Sequence, residues 1–250
     1  MFEETDLEQY PILSKAPITE ALIDIRVKLP DSFDIRKLDL YEKINEEYAT
    51  RQEIRRFETK FEIKDGQPLS DITVIKGGYR YTSIDNLYVF QSRMDGFTLS
   101  RLEPYETWER LRREGRKLWH LYGEICSPTV VRIALRYINK IMIPLPIRDF
   151  GDYFTVPPTV SEKLPQGVTS FFNRVVIHEP TIGANAIITT SMEPVSKPDL
   201  VPIILDIDVF KIKPEGFDEE AMWESLDRIR DFKNRIFYNS ITERLLEVFK

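Results

Sequence analysis

Two carboxylates set two positions apart are the first residues in this chain whose spacing could do chemistry. Asp206-Ile207-Asp208 lies in an apolar run. On a strand, residues two apart share a face, and a carboxylate pair of that kind can hold Mg²⁺ or Mn²⁺. The same spacing also describes the outer face of a strand whose buried side is Leu205, Ile207 and Val209. The strand-face reading outweighs the metal reading, because alternation alone accounts for it.

Other candidates have similar double meanings. Glu58-Thr59-Lys60 and Glu62-Ile63-Lys64 follow Pro30-Asp31. A nuclease-like site would put the carboxylates on a metal and use the lysine to support a nucleophilic water. Alternating Glu and Lys is equally the solvent face of a strand, stabilised by cross-strand charge pairs. Arg132 and Arg136 share a face of a Val- and Ile-rich segment, and Asp24 and Arg26 sit similarly in an earlier one. Charges on such strands either face water or need partners. Arg26, Arg132 and Arg136 could bind an anionic ligand; an internal network with Asp24, Asp206 or Asp208, or a solvated face, is the favoured alternative. Arg110, Arg112, Arg113, Arg116 and Lys117 are interleaved with Glu106, Glu109 and Glu114, the pattern of helical ion pairs on a wet face.

Much chemistry is missing. The two histidines, His120 and His178, are too few for a His-rich metal site, and no HExxH occurs. Glycine-rich phosphate loops of the GxGxxG and GxxxxGK[ST] types are absent, as is GxSxG. The lone Cys126 reads as a buried thiol rather than a nucleophile. Asp149-Phe150-Gly151 spells a kinase triplet without its companion motifs. No cofactor is implied. The 250 residues carry a net charge of −6, the wrong sign for a general nucleic-acid binder. No apolar run approaches the roughly 18 residues that span a membrane. The acidic start, MFEETDLEQY, is no secretory signal. A cytoplasmic protein is the expectation.

The elements that must position these residues follow from periodicity. Glu20–Lys28 alternates as a half-buried strand. Helical spacing of Ile35, Leu38, Tyr41 and Ile44 predicts a helix over residues 34–49. Strands are expected at 57–64, 72–76, 79–84, 87–93 and 97–101, broken by Asp65-Gly66, Gly77-Gly78, Asp85-Asn86 and Asp95-Gly96. A helix over about 105–125 carries Gly115 on its apolar face, which would allow close approach to the sheet. A long strand at 130–143 comes next. Five of the 16 prolines then fall between residues 144 and 165, so residues 144–168 are an irregular excursion with one helical turn near 149–153. Strands at 169–179, 184–193 and 202–211 precede one long C-terminal helix capped by Asp218.

This order predicts an α+β fold of antiparallel sheets with long helices. Two halves, 1–127 and 128–250, read as a β-α-β4-α pseudo-repeat that resembles the TATA-binding-protein-like and helix-grip folds; one continuous domain is the other arrangement the order allows.

Three segments carry a family likeness: Pro17–Arg26 (PITEALIDIR), Leu135–Ile141 (LRYINKI) and Lys233–Thr242 (KNRIFYNSIT). Through them the chain, from about residue 14 to 249, resembles a sporadically distributed family of uncharacterised prokaryotic proteins of about this length. The resemblance implies a prokaryotic source and transfers no catalytic residue.

The resulting expectation is a non-enzymatic binding or protein-interaction module. A metal-dependent nuclease or phosphodiesterase using Asp206, Asp208 or Glu62/Lys64 is the enzymatic alternative, and a nucleic-acid-associated accessory protein is the third. High aromatic content and sheet edges that need cover are compatible with a homodimer.

Overall fold

The computed structural model describes residues 10–64, 67–194 and 199–250, and the side chains of residues 56–75 lie outside that description. Alternation builds the first strand, β1 (Ile18–Lys28). Ala21, Ile23, Ile25 and Val27 are buried on one face, while Leu22, Asp24 and Arg26 take the other. β2 (Thr50–Lys64), β3 (Gln67–Thr82), β4 (Tyr88–Arg93) and β5 (Gly96–Leu102) follow as an antiparallel meander. After α2 (Trp108–Cys126) come β6 (Thr129–Pro144), β7 (Phe172–Glu179), β8 (Ala184–Met192) and β9 (Leu200–Ile212). Among the described residues the strands form one nine-stranded sheet in the order β2-β3-β4-β5-β1-β6-β9-β8-β7. Every neighbouring pair is antiparallel, so the α+β class holds.

Helices cover one face of this sheet. Thr107 caps α2, accepting from the Arg110 amide. Trp108, Leu111, Gly115, Leu118, Trp119, Tyr122 and Cys126 then recur at three- and four-residue spacing and are all buried. A Cβ on Gly115 would lie 2.9 Å from Ile23 Cδ1 and 3.4 Å from Trp223. Glycine thus lets α2 press directly on β1 and α3. Asp218 caps α3 (Glu219–Ser240) through the amides of Glu220 and Ala221. Its face of Met222, Trp223, Leu226, Ile229 and Ile236 packs against β6 and β9. Truncating a fully buried ring such as Trp223 costs about 3–5 kcal/mol. Trp108 Nε1 donates to Asp227 across the α2–α3 seam at 2.8 Å. No helix among the described residues is long and apolar enough to cross a membrane.

Three local expectations change. The helix over 34–49 is instead a 3-10 turn, Ile35–Leu38, and a single-turn α1, Tyr41–Ile44. The Tyr81 hydroxyl accepts from the Leu40 amide and contacts the Leu38 carbonyl, so the backbone between the two turns bonds to the sheet rather than to itself. Gly77-Gly78 does not divide two strands. The pairing slips from Ile54/Gly78 to Arg55/Lys76, a bulge within a continuous β3. Gly78 has φ +144°, and a Cβ there would meet Ser92 O at 2.2 Å. The C-terminal helix is also two helices. Ile241 leaves helical geometry to bridge with Phe154, and Thr242 caps α4 (Glu243–Phe249). The excursion after β6 is thereby tied to the helix junction, with Thr155 N donating to Ser240 O at 3.1 Å and Thr242 N to Tyr153 O at 3.0 Å. It holds the expected helical turn, at Phe150–Asp152.

Candidate functional site

The sheet face opposite the helices carries the residues singled out in the sequence, and strand register explains why they meet. Arg26 on β1 lies opposite Arg132 on β6, Asp24 is flanked by Thr98 on β5 and Ala134 on β6, and Arg136 lies opposite Asp208 on β9. Two arginines directly across a strand pair repel. Asp24 resolves this by lying beside both. It accepts from Arg26 Nε at 2.9 Å and from Arg132 Nη1 at 3.0 Å. It also accepts from Arg93 Nη2 at 3.0 Å and Thr98 Oγ1 at 2.8 Å. Four donors on two oxygens use the whole capacity of a carboxylate.

The network continues on both sides. Asp95, in the β4–β5 turn, accepts from Arg26 Nη1 at 2.5 Å and from Arg93 Nε at 3.1 Å. Arg132 reaches Asp208 at 3.5 Å, and Arg136 grips Asp206 through Nε at 2.9 Å and Nη2 at 2.6 Å. That last pair is bidentate, the strong form of the interaction. Arg132 also lies 4.6 Å from the centre of the Phe210 ring. Charges balance: four aspartates meet four arginines. Asp24 and Asp206 lie deep, with side chains 11% and 17% exposed, while their partners Arg26 and Arg136 stay 39% and 43% exposed. Burial pushes the Asp208 carboxyl up, and the attraction of Arg132 and Arg136 offsets only part of this. The Arg136 guanidinium is raised, chiefly by its bond to Asp206.

Arg26, Arg132, Arg136, Asp206 and Asp208 are therefore brought together on one surface. Asp206 and Asp208 engage arginines, and among the described residues no three His, Cys, Asp or Glu side chains are placed to hold a metal. The Glu62 and Lys64 side chains, with Glu58 and Lys60, lie outside the described residues. Sequence reasoning missed Arg93, Asp95 and Thr98. Arg93 closes the strand expected at 87–93 and Asp95 belongs to the Asp95-Gly96 turn pair; their alignment with Asp24 is visible only once β5 pairs with β1.

The remaining candidates scatter. Arg110 pairs with Glu106, Lys117 with Glu47 and Glu114, Arg112 with Asp227, and Arg116 lies over Trp223. His120 sits near Glu124, and His178 bonds Asn185. Burial pushes the Cys126 thiol up to about 12, which suits a core residue and not a nucleophile. Lys233, the first residue of the Lys233–Thr242 segment, lies on the inner face of α3. It is 7% exposed, and its Nζ lies 3.9 Å from the centre of the Tyr137 ring and donates to Asn234 Oδ1. Burial lowers its amine to about 7. A cavity of about 180 Å³ between β7, β8 and the end of α3 is lined by Phe154, Val175, Ile188 and Asn239, away from the ion network. No protein-family model matches the chain, and comparison with curated proteins finds none similar to it.

Proposed function

We propose that this chain is a non-enzymatic protein-interaction module whose recognition surface is the open face of β5, β1, β6 and β9. The observation that carries the reading is the balanced network of Asp24, Asp95, Asp206 and Asp208 with Arg26, Arg93, Arg132 and Arg136 on a face that no helix among the described residues covers. Asp24 and Asp206 hold Arg26 and Arg136 in fixed poses, and these two arginines still present guanidinium surface to a partner. Preorganised arginines beside apolar groups are the composition of protein interfaces. A neutral balance gives little of the phosphate attraction that nucleic-acid binding needs, so a protein partner fits better than DNA or RNA. The metal-dependent reading draws less support, because the Asp206 carboxylate already accepts two guanidinium bonds.

On this reading the two halves are related units, as the strand order on either side of the β1–β6 seam suggests. The single cysteine fits a prokaryotic cytoplasm, the setting implied by the family resemblance. The test compares affinity capture by the native chain with capture by R26E/R136E, after matching their circular dichroism. Loss of the same captured proteins from the folded variant supports the reading; identical capture sinks it. Gel shifts with DNA and RNA at low salt are expected to show no binding.

A further inference from the structure

The terminal strand β7 has an unusual surface. Phe172, Val175, Val176 and Ile177 are 70%, 45%, 59% and 37% exposed, so large apolar groups face outward on both sides of the sheet. Among the described residues β7 has a neighbour, β8, on one side only. Sheet edges are usually blunted by lysine, proline or a bulge. β7 reads FNRVVIHE, with its charges Arg174 and Glu179 outside an uncharged Val175–Ile177 centre and with no lysine or proline, and it pairs with β8 over its full length without a bulge. An apolar edge of this kind is a template for another strand.

Symmetry and pattern select the occupant. Two copies of β7 can join their sheets about a two-fold axis perpendicular to the sheet. Each residue then meets one from its own face, so the register must keep face parity. Centred on Val176, the pairing sets Val176 against Val176, Val175 against Ile177, Arg174 against His178 and Asn173 against Glu179. Apolar groups meet apolar groups, and polar groups meet polar ones. Centred on Val175 it would set Arg174 against Val176 and Asn173 against Ile177. Centred on Ile177 it would set Val175 against Glu179. Only the first register keeps the hydrophobic pattern. Such a contact is self-complementary and closes at two copies, whereas joining β7 to the opposite edge of another sheet would propagate. We propose that β7 pairs antiparallel with β7 of a second copy of this chain, in the register centred on Val176. Val176 lies on the same sheet face as Asp208, with Ile187 between them, but the pairing uses the β7 backbone edge and none of the arginine–aspartate bonds, so each reading is tested by its own variants.

Light scattering of the full chain over a dilution series tests it. The expected mass approaches twice 29.5 kDa at high concentration. Val176→Arg sets like charges against each other at the axis and should halve the mass with circular dichroism unchanged, since Val176 is exposed in the single chain. Val176→Cys should give a disulfide-linked dimer on mild oxidation, because directly opposed Cα atoms lie about 4.5–5.5 Å apart, within disulfide reach. Val175→Cys faces Ile177 instead and should not cross-link with itself. A monomer throughout the series overturns the proposal, and so does a dimer that survives Val176→Arg or one that cross-links through Val175→Cys and not Val176→Cys. A β7 edge occupied by the chain's own N-terminal residues or by a foreign peptide would appear as the monomer outcome.

Discussion

Replacing Lys233 by methionine should remove a pH dependence that the native protein carries. The amine ordinarily titrates near 10.5; burial lowers it to about 7 in the folded chain. Between those values the unfolded chain holds a proton that the folded chain has released. Unfolding then takes up a proton, so stability rises with pH, by up to about 1.4 kcal/mol per unit. The penalty for burying the charged amine is fully present below pH 7 and is relieved as pH rises. From pH 7 to 9 the gain works out to about 2 kcal/mol. Above pH 9 the trend reverses. Cys126 and Tyr105 are both raised to about 12, so there the folded chain keeps protons that the unfolded chain gives up. Urea unfolding followed by the fluorescence of Trp108, Trp119 and Trp223, all buried, reads the effect at each pH. Native protein should gain about 2 kcal/mol between pH 7 and 9, and Lys233→Met should gain less than half of that. Parallel curves for the two proteins would refute the reasoning, as would native stability falling over that range.

Asp24→Ala should be the most damaging single change on the open face. It leaves Arg93 and Arg132 partly buried without their shared partner, at a cost of about 3–5 kcal/mol in urea unfolding. Asp34→Ala, which breaks an exposed pair with Arg36, should move the midpoint little. Trp108→Phe removes the bond to Asp227 and should cost about 1–2 kcal/mol, with the α2–α3 seam loosening in hydrogen exchange. Gly96 sits at φ +151°, where a Cβ would lie 2.1 Å from Ile25 O; Gly96→Ala should therefore cost at least about 2 kcal/mol and lower the melting temperature.

Local features of the fold were legible because their causes are local. β1 shows its two faces in the alternation of Ala21, Ile23 and Ile25 with Leu22, Asp24 and Arg26. α2 shows its buried stripe, Gly115 included, in seven residues at helical spacing. Asp218 announces the start of α3. The misread places are those where a distant group intervenes. Residues 34–49 carry helical spacing, yet Tyr81, about forty positions away in the chain, takes the Leu40 amide. Gly77-Gly78 has the composition of a turn, but β4 approaches so closely that glycine is needed within a strand.

What the sequence determined by itself was a set of faces: Asp24 with Arg26, Arg132 with Arg136, and Asp206 with Asp208 each share one side of a strand. A two-residue period is a property of the backbone and needs no neighbour. Which charge meets which was decided by the tertiary structure alone. Arg93 reaches Asp24 across 69 positions, Arg136 reaches Asp206 across 70 and Arg132 reaches Asp24 across 108. Those pairings depend on strand order and register, and these are set by closing long loops around a shared core rather than by any local preference of the residues involved.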